Sequence, residues 1–338
     1  MDTTKRPTLK TIAGITGLAV PTVSRALKGA RDISQATKDR VRQVADEIGY
    51  VPNHAGIRLR TGRSHVVTML MSTEPELMTQ TALFVRAAAA GLRASDYALS
   101  IAPSLPDGDP LAQLKYVVST QMADALILDR VILDDPRVRH LMDIGHPFVT
   151  HGRSRWSADH AFFDVDHAQL GAEAVARLVW KGRQSLRLVA PSADQFAAAH
   201  LLEGARLAAD TYDVELELVS GFDADSPGGH IRALAQEIAV GGGAGDGWIF
   251  ASAASCLAAL SGFAAAGIEA GSDFDVVVHD APSFVGWAQP MVHTVPSRAE
   301  AAGAFLARAA IARITNPTAA PLQHIDRLPS LDDPFTQT

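Results

Sequence analysis

Apolar and polar positions divide the chain into a short opening stretch with helical spacing and a long remainder in which apolar runs alternate with helix-like segments. In the opening stretch, Thr8-Leu9-Lys10-Thr11-Ile12-Ala13 starts one short helix and Pro21-Thr22-Val23-Ser24-Arg25-Ala26-Leu27 a second, with Gly14 to Ala19 predicted as the turn between them. Leu9, Ile12 and Ile15 on the first helix and Val23, Ala26 and Leu27 on the second supply a shared apolar side. A third amphipathic helix, Ser34 to Ile48, would close this small core. Two short helices so joined match a helix-turn-helix, whose second helix is the one that enters a major groove.

Past Ser64 the period changes. Strand-like runs at Val66–Met71, Tyr97–Ile101, Ala125–Leu128 and Phe148–Thr150 alternate with helical stretches at Ala82–Leu92, Leu111–Ser119 and Arg137–Ile144. Asp164-Val165-Asp166 reads as the start of a second unit: helix Ala168–Trp180, strand Leu186–Val189, helix Ala197–Ala209, strand Glu215–Val219, helix His230–Ala239, strand Trp248–Phe250, helix Leu257–Ala265 and strand Asp275–Val278. Thr294-Val295-Pro296-Ser297 then leads into a helix over Arg298–Ile314. Strands separated by helices imply parallel sheets with helices on their faces.

Composition sharpens this picture where charge is concerned. The chain carries a formal charge of -7, which taken alone argues against a polyanionic partner. Its distribution argues the other way: residues 1–63 hold twelve Lys and Arg against five acids, so the head is at +7 and the rest at -14. A basic head on an acidic body concentrates the phosphate-attracting field at one end. With 338 residues, 47% of them hydrophobic, two or three domains with a sizeable core are expected. The single Cys256 permits neither an internal disulfide nor a cysteine-based zinc site. The N-terminal residues lack the apolar run of a signal peptide, and no run reaches the length of a membrane span, so a cytoplasmic protein with no membrane partner is expected. Gly241-Gly242-Gly243-Ala244-Gly245-Asp246-Gly247 lacks the Gly-Lys-Ser/Thr ending of a phosphate loop and reads as a surface connection.

Thr22-Val23-Ser24-Arg25-Ala26-Leu27 together with Gly49-Tyr50-Val51-Pro52-Asn53 carries a family resemblance: the sequence resembles LacI/GalR-type transcriptional regulators, over essentially its whole length and most specifically in the head. The resemblance implies an all-α helix-turn-helix head with a hinge helix, followed by a Rossmann-like α/β effector domain of two lobes, the type I periplasmic-binding-protein architecture, with the ligand beyond the strands' carboxyl ends. Expected boundaries are 1–50 for the head, 51–63 for the hinge and 64–338 for the effector and dimerisation domain. Its first lobe would span about 64–163 and 296–322, its second about 166–292 and 324–338.

For the head, the resemblance places base-reading side chains at Val20, Pro21 and Arg25. An arginine donates twice to guanine, whereas Val20 and Pro21 offer only apolar contact, best used on a thymine methyl. Thr8 and Lys10 belong to the same DNA-binding set, and the Thr22 and Ser24 hydroxyls are candidate phosphate ligands, the alternative being that they satisfy local backbone groups. Ala19 stands where relatives often have a capping serine; Pro21, suited to a first turn, partly compensates. Asn53 to Leu59 resembles the hinge helix, with Asn53 and Arg58 toward DNA and Leu59 as the apolar wedge between central bases; the alternative is an ordinary basic linker.

Candidate effector ligands lie after strands: Ser72, Thr73 and Glu74, then Asp129 and Arg130, then His151 and Arg153, and in the second lobe Phe196, Ser252 and Asp280. Asp280 matches a family aspartate often found on sugar hydroxyls, and carboxylates, hydroxyls and an aromatic suit a polyol or sugar. Each of these residues has a structural alternative. Leu201, with His200 beside it, replaces a family arginine, which disfavours an anionic ligand there, and Ser252-Ala253 replaces the common Asn-Asp. No cofactor, metal site or enzymatic activity is expected: the twelve histidines show no metal spacing, no nucleophile motif occurs, and Asp134-Asp135 and Asp332-Asp333 read as solvated turns. The implied partners are a double-stranded, pseudo-palindromic DNA operator, a small sugar-like effector and a second copy of the chain, since the tail from Pro329 to Thr338 has no leucine heptads for a larger assembly. An exported sugar-binding protein would share the lobes but not the head.

Overall fold

The computed structural model describes residues 7–50, 62–72, 78–104, 108–243, 245–289 and 291–327, with the side chains of Ser72, Met78, Thr79, Gln80, Asp280, Ser283 and Ala288 outside that description. The chain divides into two units, Met1–Ser64 and His65–Thr338.

In the first unit α1 (Leu9–Thr16), α2 (Val20–Leu27) and α3 (Gln35–Glu47) pack around Ile12, Val23, Ala26, Val41 and Ala45. The N-terminus of α1 is closed by a capping box in which the Thr8 and Thr11 side chains serve each other's backbone N–H. Ser34 caps α3 by accepting from the Thr37 N–H. Two expectations are corrected. The turn runs only from Gly17 to Ala19, because the α1 pattern continues through Gly14 to Thr16 and the chain leaves the helix at Gly17, whose φ of +71° favours glycine. Ile15 is 53% exposed and no part of the core; Ala13 and Thr16 occupy the buried side instead.

The second unit contains two all-parallel sheets. β1 (Val66–Ser72), β2 (Ala98–Ser104), β3 (Ala125–Leu128), β4 (Phe148–His151), β5 (Ala161–Val165) and β11 (Gln323–Asp326) form the first, in the order β11-β5-β4-β3-β1-β2. β6 (Ser185–Val189), β7 (Glu215–Leu218), β8 (Gly247–Phe250), β9 (Asp275–Ala281) and β10 (Val292–Pro296) form the second, in the order β10-β9-β8-β6-β7, with a register shift between Thr294 and Pro296. Apart from β11, both sheets follow the same doubly wound order, so each has a switch point beside its first strand.

Strand alternation feeds a layer on each face. Met69 and Ile127 point to α4 (Met78–Leu92) and α12 (Ala299–Thr315), while Leu70, Leu126 and Leu128 point to α5 (Pro110–Ser119) and α6 (Pro136–Asp143). In the second sheet Trp248, Phe250 and Val276 pack under α9 (Gly228–Val240), α10 (Ala253–Ala265) and α11 (Ser283–Ala288), whereas Ile249 and Val277 pack under α7 (His167–Trp180) and α8 (Phe196–Tyr212). The α7–α8 crossing is close enough that Gly204 abuts the Ala168 backbone and Gly171 abuts the backbone at Leu201 and Ala205. A side chain at either position has nowhere to go.

Three sequence expectations change here. Asp164 and Val165 end β5 of the first sheet instead of opening the second unit, since Ala161-Phe162-Phe163 is too short a run to stand out as a strand. The stretch from 324, expected in the second lobe, begins inside β11 and pairs with β5 in the first. Gln323-His324-Ile325-Asp326 has a single aliphatic residue and an exposed edge position, so its pattern carries no strand signal. α11 is an added short helix. Among the described residues no helix is long and apolar enough to cross a membrane.

Candidate functional site

In the head, Pro21, Arg25 and Lys28 are exposed at i, i+4 and i+7 along α2, opposite the buried Val23 and Ala26. Thr22 and Ser24 flank this line and are half-buried. Arg25 is ion-paired with Asp32 in the loop that follows, an arrangement that holds the guanidinium at the surface without burying it. Val20 is half-buried against the head core, which leaves less of it for a partner than its sequence position suggests. Lys10 and Thr8 are exposed at the start of α1, and the Thr8 hydroxyl is engaged in the cap. Helix α2 starts at Ala19 with no side-chain cap and with proline in its first turn, as the sequence implies. Asn53, Arg58 and Leu59 lie outside the described residues.

In the second unit a cleft of about 250 Å³ opens between the two sheets at the carboxyl ends of their strands. Met71, Asp129, Arg130, His151 and Arg153 line it from the first lobe, and Pro191, Phe196, Leu201, Asp225, Ser252 and His279 from the second. The first-lobe groups are mutually paired. His151 Nδ1 lies 2.8 Å from Asp129 Oδ1, with its ring stacked on Phe84 at 5.1 Å. Burial works to raise the Asp129 carboxyl, but the His151 hydrogen bond and charge, with Arg130, outweigh it and hold the group below its usual range. Asp164 at the end of β5 accepts from Arg153 Nε at 2.6 Å and lies 3.0 Å from His167 Nε2. There too burial is overcome by the two basic partners, and the carboxyl stays ionised.

Contacts across the cleft join the lobes. Arg130, at a φ of +51°, donates from Nη2 to Asp225 Oδ1 at 2.6 Å, and Asp225 also accepts from Gln195 Nε2 at 2.6 Å and the Ser192 N–H at 3.0 Å. Arg137 Nη2 donates to the carbonyls of Asp129 and Arg130, fixing the segment that aims Arg130. The Leu133 N–H donates to the Asp194 carbonyl at 2.7 Å. The Arg153 guanidinium stands 4.3 Å from the Phe196 ring centroid.

Of the residues proposed from sequence, Asp129, Arg130, His151, Arg153, Phe196 and Ser252 meet in this cleft. Phe196 already carries Arg153 and a stacked His200 at 4.4 Å, and the Ser252 hydroxyl caps α10 by accepting from the Ser255 N–H, so both have a structural task. Leu201, the replacement for the family arginine, is buried and apolar at the cleft wall. Ser72 ends β1 and Asp280 is the last residue but one of β9, both with side chains outside the description, and Thr73 and Glu74 lie outside the described residues altogether. Sequence reasoning missed Asp164, His167, Asp225 and His279. His279 and Asp164 had a usable signal, a polar residue closing an apolar strand; Asp225 sits in a polar loop and had none.

The three carboxylates (Asp129, Asp164, Asp225) and three guanidiniums (Arg130, Arg153, Arg298) that line the cleft balance one another beside three imidazoles (His151, His167, His279), which suits a neutral polar ligand better than a strongly charged one. Among the described residues no group of histidine, cysteine and acidic side chains could hold a metal ion.

Residues 8–53 match the family of bacterial regulatory proteins named for lacI. The HTH-type transcriptional regulator CelR of Thermobifida fusca is 29% identical over 96% of both chains. RafR of Escherichia coli, another HTH-type transcriptional regulator, is 33% identical over 54% of each. Among solved structures, a transcriptional regulator CelR–cellobiose complex superposes with a TM-score of 0.68 at 26% identity, covering 95% of this chain and 97% of that one. The lac repressor dimer bound to operator and the anti-inducer ONPF gives a TM-score of 0.77 at 18% identity over 96% and 97%, a likeness of fold. With a head that matches the lacI family over residues 8–53, paired doubly wound lobes and a CelR relative matched over nearly its whole length, the chain is similar throughout to HTH-type transcriptional regulators of that family.

Proposed function

We propose that this regulator represses transcription by binding a pseudo-palindromic operator as a homodimer, and that a neutral sugar in the cleft between its lobes controls that binding. The observation that carries the reading is the pairing, in one chain, of an exposed Pro21-Arg25-Lys28 line on α2 with a charge-balanced cleft at the strand ends. Arg25 and Pro21 read base edges, Lys10 meets phosphate, and Asn53, Arg58 and Leu59 form the hinge that enters the minor groove, with Leu59 as the wedge. Residues 1–50, 51–63 and 64–338 divide the work into head, hinge and effector domain. The protein acts in the cytoplasm, without a cofactor and without catalysis. A relative of similar length has been solved with cellobiose, which supports a saccharide as the ligand class.

The test is binding of the full chain to an operator selected from random duplexes, measured by fluorescence anisotropy at one fixed salt concentration with and without added sugars. Arg25→Ala should relax base preference at one symmetric position, while Lys10→Ala should weaken all sequences alike. Equal losses on operator and random DNA for Arg25→Ala would remove the base-reading role.

A further inference from the structure

Polar atoms with no hydrogen-bond partner gather beneath one helix. Glu173 Oε2 and Arg177 Nε on α7, both ring nitrogens of His279 on β9 and Nε2 of His293 on β10 are all buried and unpartnered. Of these residues only His279 lines the cleft, at the carboxyl end of its strand where ligands of doubly wound sheets sit. Its side chain is 3% exposed and neither nitrogen meets a donor or acceptor, so the imidazole is desolvated with its hydrogen-bonding capacity unused.

We infer that His279 is a specificity residue that hydrogen-bonds a ligand hydroxyl through a neutral imidazole. This rests on reading the cleft as a neutral-sugar site. Burial first, then the charges of His167 and Arg177 facing it from α7, push its pKa down to about 3, so the ring stays uncharged at neutral pH. A neutral ring has one donor and one acceptor, and a hydroxyl can meet either. A carboxylate or phosphate can accept from the donor nitrogen but has no proton to give the acceptor one. His279 therefore favours hydroxyls over anions, the same preference that Leu201 creates on the same lobe by withholding a cation.

The probes are glucose, galactose, maltose and cellobiose, each titrated calorimetrically into the full chain at pH 7.5. A sugar that binds the wild type should bind His279→Phe about tenfold more weakly or worse, since the lost partner leaves its hydroxyl unpaired. The ligand-free melting temperature of His279→Phe should hold or rise, because an apolar ring suits a dry site better than an unbonded imidazole, whereas a purely structural histidine would leave a less stable protein. His279→Gln keeps a donor and an acceptor and should recover part of the affinity. Affinity within twofold of wild type in His279→Phe overturns the inference and leaves the sugar reading standing. Failure of all four sugars to bind the wild type overturns both. If His279→Phe does not fold, the ring nitrogens are observed directly in 15N-labelled wild type, with His279→Gln identifying the signals: a saturable shift on adding the sugar is expected, and unchanged signals overturn the inference.

Discussion

The two lobes repeat one strand order, but polar groups around the first lobe's strand ends are paired, whereas a group of them beneath α7 in the second lobe is not. In the first lobe Asp129 has His151, Asp164 has Arg153 and His167, and Arg137 gathers the carbonyls that precede the turn. In the second, beneath α7, burial lowers His279, His293 and Arg177 and raises Glu173, and each keeps at least one buried atom without a partner. Paired groups are already arranged before any ligand arrives, whereas His279, the one of these unpaired groups that lines the cleft, gains when a ligand brings it a partner. The same scaffold thus supplies a fixed half and a receptive half.

The largest effect should come from the packing that holds the receptive half. Gly204→Val drives a branched side chain into the Ala168 backbone at the α7–α8 crossing and should cost about 3 kcal/mol or more, read from urea denaturation. A loss under about 1 kcal/mol would mean that α7 can move away and that the seam beneath it is not held shut. Next, Asp164→Asn leaves the Arg153 guanidinium, 15% exposed, without its charged partner and should cost roughly 3 kcal/mol at pH 7. Because the folded Asp164 carboxyl is held below its usual range, its contribution is present above about pH 4 and is lost as pH falls through the lower folded value. Variant and wild type should therefore converge in acid, and a gap that persists at pH 2 would assign the loss to shape instead of charge.

A smaller effect separates the halves by pH. His279 is kept neutral when folded but takes a proton near pH 6.5 when unfolded, so its contribution is complete above that pH and declines as pH falls toward about 3. Between pH 6.5 and 5 this amounts to about 2 kcal/mol, and His279→Phe should show a stability profile flatter by that much. Parallel profiles would show that water reaches the ring. The smallest effect belongs to the bridge between halves: Arg130→Ala removes a partly exposed ion pair to Asp225 and should cost about 1 kcal/mol, while widening the ligand-free cleft in small-angle scattering. An unchanged radius of gyration would mean that the remaining contacts, Leu133 to Asp194 and Arg153 over Phe196 among them, hold the lobes without Arg130.

Much of this was legible from residue order. The period of apolar positions marks the three head helices and eight strands to within a few residues, most clearly where a strand such as β3 or β8 is an apolar run buried on both faces, while β10 was read only as the lead into a helix. β5 and β11 escaped for the opposite reason: one is brief and the other is a polar edge. At the cleft, strand ends pointed to Asp129, His151 and Ser252, but pairing is a property of three-dimensional neighbours. Nothing near Arg130 in sequence announces Asp225, 95 residues away, and nothing near Phe196 announces Arg153. His279 was overlooked because its neighbour Asp280 carried the family pattern.

The four sheet margins also bear on how copies of the chain can meet. β2 includes Pro103, β7 is four residues long with Glu215 and Glu217, β10 ends at Pro296 across its register shift, and β11 is four residues long and largely polar. Proline has no N–H to offer a neighbouring strand, a register shift breaks the ladder, and short charged margins template it poorly. Each lobe is thereby protected against recruiting another molecule by backbone hydrogen bonding, so self-association has to proceed through side chains on helical surfaces, where it can be both reversible and symmetric.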